Sequence, residues 1–409
     1  MSAISKELFY RKIDKNAHCS DLHYWESSCL KAVISPYFVS NVVKGTAKFF
    51  FPIYLLKLMI NYKKIKDVEF IKSLVLAEGT AILYGVGLGS LVIATLCTLR
   101  KIFGRIHYYN VVVFPGIVSG LSLLIETKEN QILNTLIFFN SFVETLLNDV
   151  NFSLFEITET REVLLFMAVS AVLMYLLENR TNELNMIYFW FYTPPRRKIV
   201  DKPDEEKACD HPSSCWKFWK DGFVKYFSLG YLVNVVRGAI PKIGKLARNP
   251  RTFINLLLST SNVKFGLFIG GYVAVYRMLT CYLLKWGKIR RKFHGLLAGL
   301  LSGLTYAISP NIQVVVVGIT TILQILYAKL SDRLNIKNNF WPRQLLYMVC
   351  HGVLLHKKIF YPNLCSSYYS NMIDACTNNV IPQIYERIIS KYFFEEIGRK
   401  HAFKYIGKA

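Results

Sequence analysis

Charge is scarce in this chain, and acidic charge is scarcest: 19% of the 409 residues are charged, with 27 Asp and Glu against 50 Lys and Arg. An average soluble domain carries roughly a quarter charged residues. The sequence also lacks G-x-S-x-G, H-E-x-x-H, a P-loop and any G-x-G-x-x-G that follows a strand. Gly85-Val-Gly-Leu-Gly89 lies inside a long apolar run, so it is not a nucleotide loop. With no catalytic constellation, an enzyme is not expected and no cofactor is assigned. Residues 1–19 hold Lys6, Arg11, Lys12 and Lys15 without an apolar h-region, which excludes a secretory signal. The first apolar hairpin would then act as its own insertion signal.

What the chain has instead is uninterrupted apolar sequence. Gly79–Leu99, Ile106–Ile125 and Gly295–Ala328 contain no charge, and Ser309-Pro310-Asn311 interrupts the last of them. About 20 apolar residues in a helix cross roughly 30 Å of hydrocarbon. The net charge of +23 is compatible with phosphate binding or with basic loops beside a bilayer. Arg100, Lys101, Arg105, Lys285, Lys288, Arg290, Arg291 and Lys292 sit beside the apolar runs, and no nucleic-acid motif interleaves with them. The reading is a membrane protein whose partners are membrane lipids and not nucleic acid.

The chain repeats itself. Ile82–Glu126 aligns without gaps on Phe265–Ser309, placing Gly87 on Gly270, Gly116 on Gly299, and Ser119-Gly120-Leu121 on Ser302-Gly303-Leu304. Upstream, Cys19, His23 and Ser27-Ser28-Cys29 correspond to Cys209, His211 and Ser213-Ser214-Cys215. The fold expected is all-α and polytopic, two related four-helix units. The first would use Lys48–Ile60, Gly79–Leu99, Ile106–Ile125 and Asn130–Leu147. The second would use Gly222–Val236, Phe265–Leu284, Gly295–Ser309 and Asn311–Ala328. The expected boundaries are a Cys/His segment at 1–45, repeats at 46–150 and 222–335, a connecting helix and charged Pro-rich linker at 151–221, and an amphipathic basic region at 336–409. Val163–Leu177 is apolar but short for a span. Both hairpin turns are basic, so the number of spans, eight or nine, depends on whether Val163–Trp190 crosses.

Candidate functional residues follow from chemistry. Gly85, Gly87, Gly89, Gly116, Gly120, Gly270, Gly299 and Gly303 would allow close helix packing, within the chain or between copies. Cys19, His23 and Cys29, and Cys209, His211 and Cys215, offer three soft ligands each. They suit a metal, a Cys19–Cys29 or Cys209–Cys215 disulfide, or structural capping of the following helix. The remaining five cysteines lie mostly in apolar sequence and are expected to be buried small residues. Glu144 and Arg277 would be charges at membrane depth, lining a polar cavity or snorkelling, and Lys57 suits snorkelling. His351 and His356 are too far apart along a helix to share a face.

The residues also carry a resemblance. Leu99-Arg-Lys, Gly104-Arg, Asn110 and Gly116-x-x-x-Gly120 resemble the mitochondrial inner-membrane import translocase superfamily, as does His294-Gly-Leu-Leu-Ala-Gly299-Leu-Leu-Ser-Gly303. Pro115 departs from that pattern, where the second copy has Ala298. Over roughly residues 15–335 the chain resembles the transmembrane protein 135 family, through Cys19, His23, Cys29, Arg161-Glu-Val-Leu-Leu-Phe166, Cys209, His211-Pro-Ser-Ser-Cys215 and Phe227-Ser-Leu-Gly-Tyr-Leu232. The resemblance implies an integral membrane protein of mitochondria and peroxisomes. It further implies a role in mitochondrial fission and fusion and in lipid metabolism, with fission-machinery partners. A lipid or metabolite carrier is the alternative, and the oligomeric state is left open.

Overall fold

The computed structural model describes residues 6–153, 158–180, 189–195, 209, 211–212, 214–239, 249–286, 289–334 and 340–393. Linker residues 196–208 and tail residues 394–409 lie outside the described residues. Among the described residues all regular structure is helical.

The chain forms two compact units, Met1–Ser153 with Asn338–Ala409, and Leu154–Lys337. The first unit opens with α1 (Lys6–Lys12), α2 (Cys19–Leu22), α3 (Cys29–Ile34), α4 (Pro36–Ile60), α5 (Val68–Phe103), α6 (Val113–Ser119) and α7 (Lys128–Ser153). The second holds α8 (Glu159–Glu178), α9 (Cys215–Ala239), α10 (Pro250–Leu257), α11 (Thr260–Trp286), α12 (His294–Ser302) and α13 (Ile312–Arg333). The chain then re-enters the first unit as α14 (Phe340–Phe360), α15 (Ser367–Cys376) and α16 (Val380–Tyr392).

Four stretches are long and apolar enough to cross a membrane: α5, α8, Phe253–Trp286 (which contains α11) and α13. Their ends are specified locally. Asp67 caps α5 by accepting from Glu69 N at 3.0 Å, and Gly104 ends it at φ +67°, donating its N–H to Arg100 O at 2.9 Å. Asn311 caps α13 in the same way, through Gln313 N at 3.1 Å.

The spans differ from the expectation in three places. First, Val163–Leu177 belongs to α8, whose 20 residues reach spanning length because Glu159 and Glu178 sit only at its ends. Second, Ile106–Ile125 is not one span. Ile106, Tyr108, Val111 and Val112 are buried against Phe9, Ile13 and Phe360, and only then does α6 begin. Third, α6 and α12 each tighten into a 3-10 segment after the first six or eight residues that follow their start, at Gly120–Ile125 and Gly303–Ile308. At 1.5 and 2.0 Å per residue these two rods reach roughly 22 and 26 Å, short of a 30 Å core. The breaks fall at matching positions of the sequence repeat. The other expected segments are helical in α4, α7 and α9, but they are not among the four spanning stretches. Lys44, Lys48 and Lys57 interrupt α4, for example.

Within the first unit α14 packs on α6 and α7, and within the second α8 packs on α12 and α13. α16 lays Ile381, Ile384, Tyr385 and Ile388 over an apolar cavity of about 140 Å³ that also touches α1 and α5. α16 thus turns its apolar side into the first unit.

Candidate metal centres

The two Cys/His motifs each acquire a fourth member from a long helix. Cys19 begins α2, His23 ends it, Cys29 begins α3, and Cys97 comes from α5, five residues after Val92 of the cavity wall. Cys209 and His211 precede α9, Cys215 is its first residue, and Cys281 comes from α11. In each cluster all four ligand atoms lie within 4.8 Å of one another. The sequence showed three ligands per motif and took Cys97 and Cys281 for buried filler; the fold brings both to the centre. The signal was hidden by register: the gapless repeat sets Cys97 against Thr280, one residue away from Cys281.

All nine cysteines are free. Cys209 Sγ and Cys215 Sγ stand 3.7 Å apart, well beyond the roughly 2.05 Å of a disulfide. His211 Nε2 lies 3.2 Å from Cys281 Sγ, and its ring stacks on Phe218 with centroids 4.3 Å apart. In the first cluster His23 Nδ1 is 2.8 Å from Glu26 O, so that nitrogen carries the proton and donates it. His23 is 1% exposed, and its buried Nε2 has only the cluster thiols beside it.

In each cluster one thiol outside the spanning helices is held low, Cys19 in the first and Cys215 in the second. Hydrogen bonding to Cys97, with His23, Cys29 and the Arg100 charge, holds the Cys19 thiol down to about 4 against the effect of burial. Cys19 in turn raises His23 to about 9. In the second cluster burial pushes Cys209 up. Burial also acts on Cys215, but Cys209, Cys281 and the Lys285 ammonium outweigh it and lower that thiol. Arg100 and Lys285 follow the helix cysteines by one turn, so each cluster has a cation at the same place.

The other candidate residues are placed as follows. Cβ atoms built on Gly85 and Gly89 would meet Thr46 and Phe38 at 2.8 Å, and one on Gly87 would meet Ile125 at 3.1 Å. One on Gly270 would meet Phe223 O and Phe227 at 2.9 Å. Gly116 and Gly120 face Gly352 Cα (2.7 Å) and Met348 (2.8 Å) of α14, while Gly299 and Gly303 face Ser170 O (2.7 Å) and Met167 Cα (2.8 Å) of α8. Every one of these approaches is within a single unit. Glu144 accepts from Ser366 Oγ at 2.8 Å, and Ser366 is the N-cap of α15. Arg277 donates to Phe218 O at 2.8 Å and lies over the Phe218 ring at 4.2 Å, beside the second cluster. Lys57 is exposed. His351 donates from Nδ1 to Gly116 O at 2.8 Å, while His356 packs edge-on to Tyr108 at 4.9 Å.

No family profile matches the chain, and no solved structure matches it.

Proposed function

We propose that this chain is a non-enzymatic integral membrane protein of mitochondria or peroxisomes, built from two copies of one helical plan, that regulates the balance of mitochondrial fission and fusion and lipid metabolism. The observation that carries the membrane part is the inverted burial of α5. It is the most apolar of the four spanning stretches, yet only 17% of its window is buried, against 39–44% for the others. Val75, Leu76 and Leu83 face outward on it. In water such a helix would turn its apolar surface inward; in lipid it need not. The two-copy plan is supported by the matching helix breaks, the matching glycine contacts and the matching clusters. The organelle and the regulatory role rest on the resemblance to the transmembrane protein 135 family.

The carrier reading ranks second. It looks to Glu144 and Arg277 to line a polar path; Glu144 is engaged with Ser366, and Arg277, bonded to Phe218 O, borders a small cavity beside the second cluster. The deciding experiment separates mitochondria from peroxisomes at high resolution and adds protease protection of tagged loops. The proposal expects the protein in one or both fractions and altered mitochondrial shape on its loss. Residence only at the plasma membrane, or unchanged mitochondria in its absence, would refute it.

A further inference from the structure

We propose that Cys19, His23, Cys29 and Cys97 hold one zinc ion and Cys209, His211, Cys215 and Cys281 hold a second, both as closed structural sites.

The donor set selects the metal class. Three sulfurs and one imidazole suit zinc, whereas magnesium, calcium and manganese want oxygen. Four protein ligands complete a tetrahedron and leave no position for substrate, which marks a structural site and not a catalytic one. The spacing fits too. With zinc–sulfur bonds of about 2.3 Å and zinc–nitrogen bonds of about 2.0 Å, the tetrahedron's edges are roughly 3.5–3.8 Å. Cys209 and Cys215, 3.7 Å apart, match such an edge, and His211 and Cys281, at 3.2 Å, lie slightly closer than one.

His23 supplies an independent observation. A buried nitrogen without a partner costs stability, so native structures rarely leave one. His23 Nε2 has only the cluster thiols beside it, while Nδ1–H is fixed on Glu26 O. Metal-bound histidines show this arrangement: one nitrogen on the ion, the other N–H on a backbone carbonyl that sets the ring's orientation.

Charge is also balanced locally. Zinc with three thiolates carries one net negative charge. Arg100 and Lys285, each one helical turn past the helix cysteine, provide the compensating cation. The construction occurs twice, from motifs whose ligand spacing differs: Cys-x3-His-x5-Cys in one and Cys-x-His-x3-Cys in the other. Different loops closing on the same four ligand types argue for a shared ligand over a shared packing accident.

Each ion would tie a segment outside the spanning stretches to the basic end of one of them, α5 or α11. The loops closed run from Cys29 to Cys97 and from Cys215 to Cys281, long enough that closing them without a cross-link carries a substantial entropy cost.

The test is elemental analysis of the full chain, purified in detergent without chelator. Two zinc ions per chain are expected. Cys97→Ser and Cys281→Ser should each lower that to one, the double variant should hold none, and Cys365→Ser should keep two. Should a Ser variant fail to fold, the wild-type protein itself decides: stripped of metal and titrated with cobalt, it should bind two ions with the visible absorption of a tetrahedral thiolate site, and zinc should displace both. Wild-type protein with substoichiometric zinc that takes up no cobalt would overturn the proposal. So would iron or copper in place of zinc, or a Cys19–Cys29 or Cys209–Cys215 disulfide found by mass spectrometry.

Discussion

Two glycine-to-alanine substitutions should have opposite signs. Gly79 and Gly116 both lie in apolar helices, α5 and α6. A Cβ on Gly79 meets nothing within 4 Å, whereas one on Gly116 falls 2.7 Å from Gly352 Cα. Alanine at position 79 removes glycine's backbone freedom in the unfolded chain and should stabilise by up to about 1 kcal/mol. Alanine at position 116 gains the same term but must push α14 away. Carbon atoms rest at about 3.5–4.0 Å, so the helices must part by roughly 1 Å. Overpacking of this kind costs about 1–3 kcal/mol. Separation also stretches the bond from His351 Nδ1 to Gly116 O, now 2.8 Å, worth about 1 kcal/mol more. The net loss is roughly 1–3 kcal/mol.

The assay is thermal unfolding in detergent, with local fluorescent labels that report the two units separately, since a chain of two units need not unfold in one step. For a unit of this size each kcal/mol moves the midpoint by about 2–4 °C. Gly116→Ala should lower the first unit's midpoint by about 2–12 °C and leave the second's alone. Gly299→Ala should do the reverse, because its Cβ meets Ser170 O at 2.7 Å. Gly79→Ala should raise the first unit's midpoint slightly. If Gly79→Ala and Gly116→Ala move the midpoint in the same direction, close packing is not what these glycines are for. If Gly116→Ala instead changes the oligomer without changing stability, the motif joins copies of the chain.

The first unit should lose stability in mild acid. Burial pushes the His351 imidazole from 6.5 down to about 4. Its depressed folded value means that the unfolded chain takes up a proton before the folded one does. The contribution is therefore complete above pH 6.5 and is lost as pH falls to about 4, by roughly 3 kcal/mol in all. His351→Gln should remove about half of the acid dependence, leaving the part due to His356, also lowered to about 4 by burial and Lys357; a wild-type midpoint that does not move between pH 6.5 and 4 would contradict this. Glu144→Ala strands the Ser366 hydroxyl and should cost the first unit about 1–3 kcal/mol, with Glu144→Gln milder because it still accepts. Loss of transport in liposomes at unchanged stability would instead favour a carrier. A chain ending at Lys337 lacks the helix that covers Gly116 and Gly120, so limited proteolysis should attack the first unit and spare the second.

The sequence showed most of what depends on local pattern. The apolar runs marked α5, α11 and α13, though the expected Gly79–Leu99 falls inside α5, whose ends are set by the caps Asp67 and Gly104. Tertiary decisions were less visible. Ile106–Val112 carries no charge and so reads as the start of a span, but His107, Tyr109 and Asn110 make it more polar than one, and its buried residues pack on Phe9 and Phe360. Gly45 drew no attention in a helix carrying lysines, yet its Cβ would meet Ala375 O and Cys376 O at 2.4 and 2.5 Å, the tightest backbone approach among the described glycines of its unit. Cys97 and Cys281 looked like filler because a lone cysteine in an apolar helix usually is. Their role depends on motifs more than sixty residues upstream in each case.

The partner of each glycine pair was hidden for a different reason: it stands in a different chain order in each unit. α8 precedes the second Cys/His motif, whereas α14 follows every other element of both repeats, so no single offset relates the whole of one unit to the other. The contacts themselves reveal a motif. Phe166-Met167-x-x-Ser170-Ala171 and Tyr347-Met348-x-x-His351-Gly352 each present a buried aromatic, a methionine, a polar side chain and a small residue in the same spacing. Met167 and Met348 cover Gly303 and Gly120, the second glycine of each pair. Ser170 Oγ donates to Gly299 O at 2.7 Å and His351 Nδ1 to Gly116 O at 2.8 Å, the carbonyl of the first. In both units the covering helix runs antiparallel to the pair, since its later residues meet the earlier glycine. The chemistry explains the polar position. Each carbonyl already accepts from the backbone N–H four residues on and from the Ser119 or Ser302 hydroxyl, so what the covering helix adds is a donor from across the helix pair. Serine and histidine both supply one. The repeat is therefore legible a second time, but only once packing says which two helices to compare.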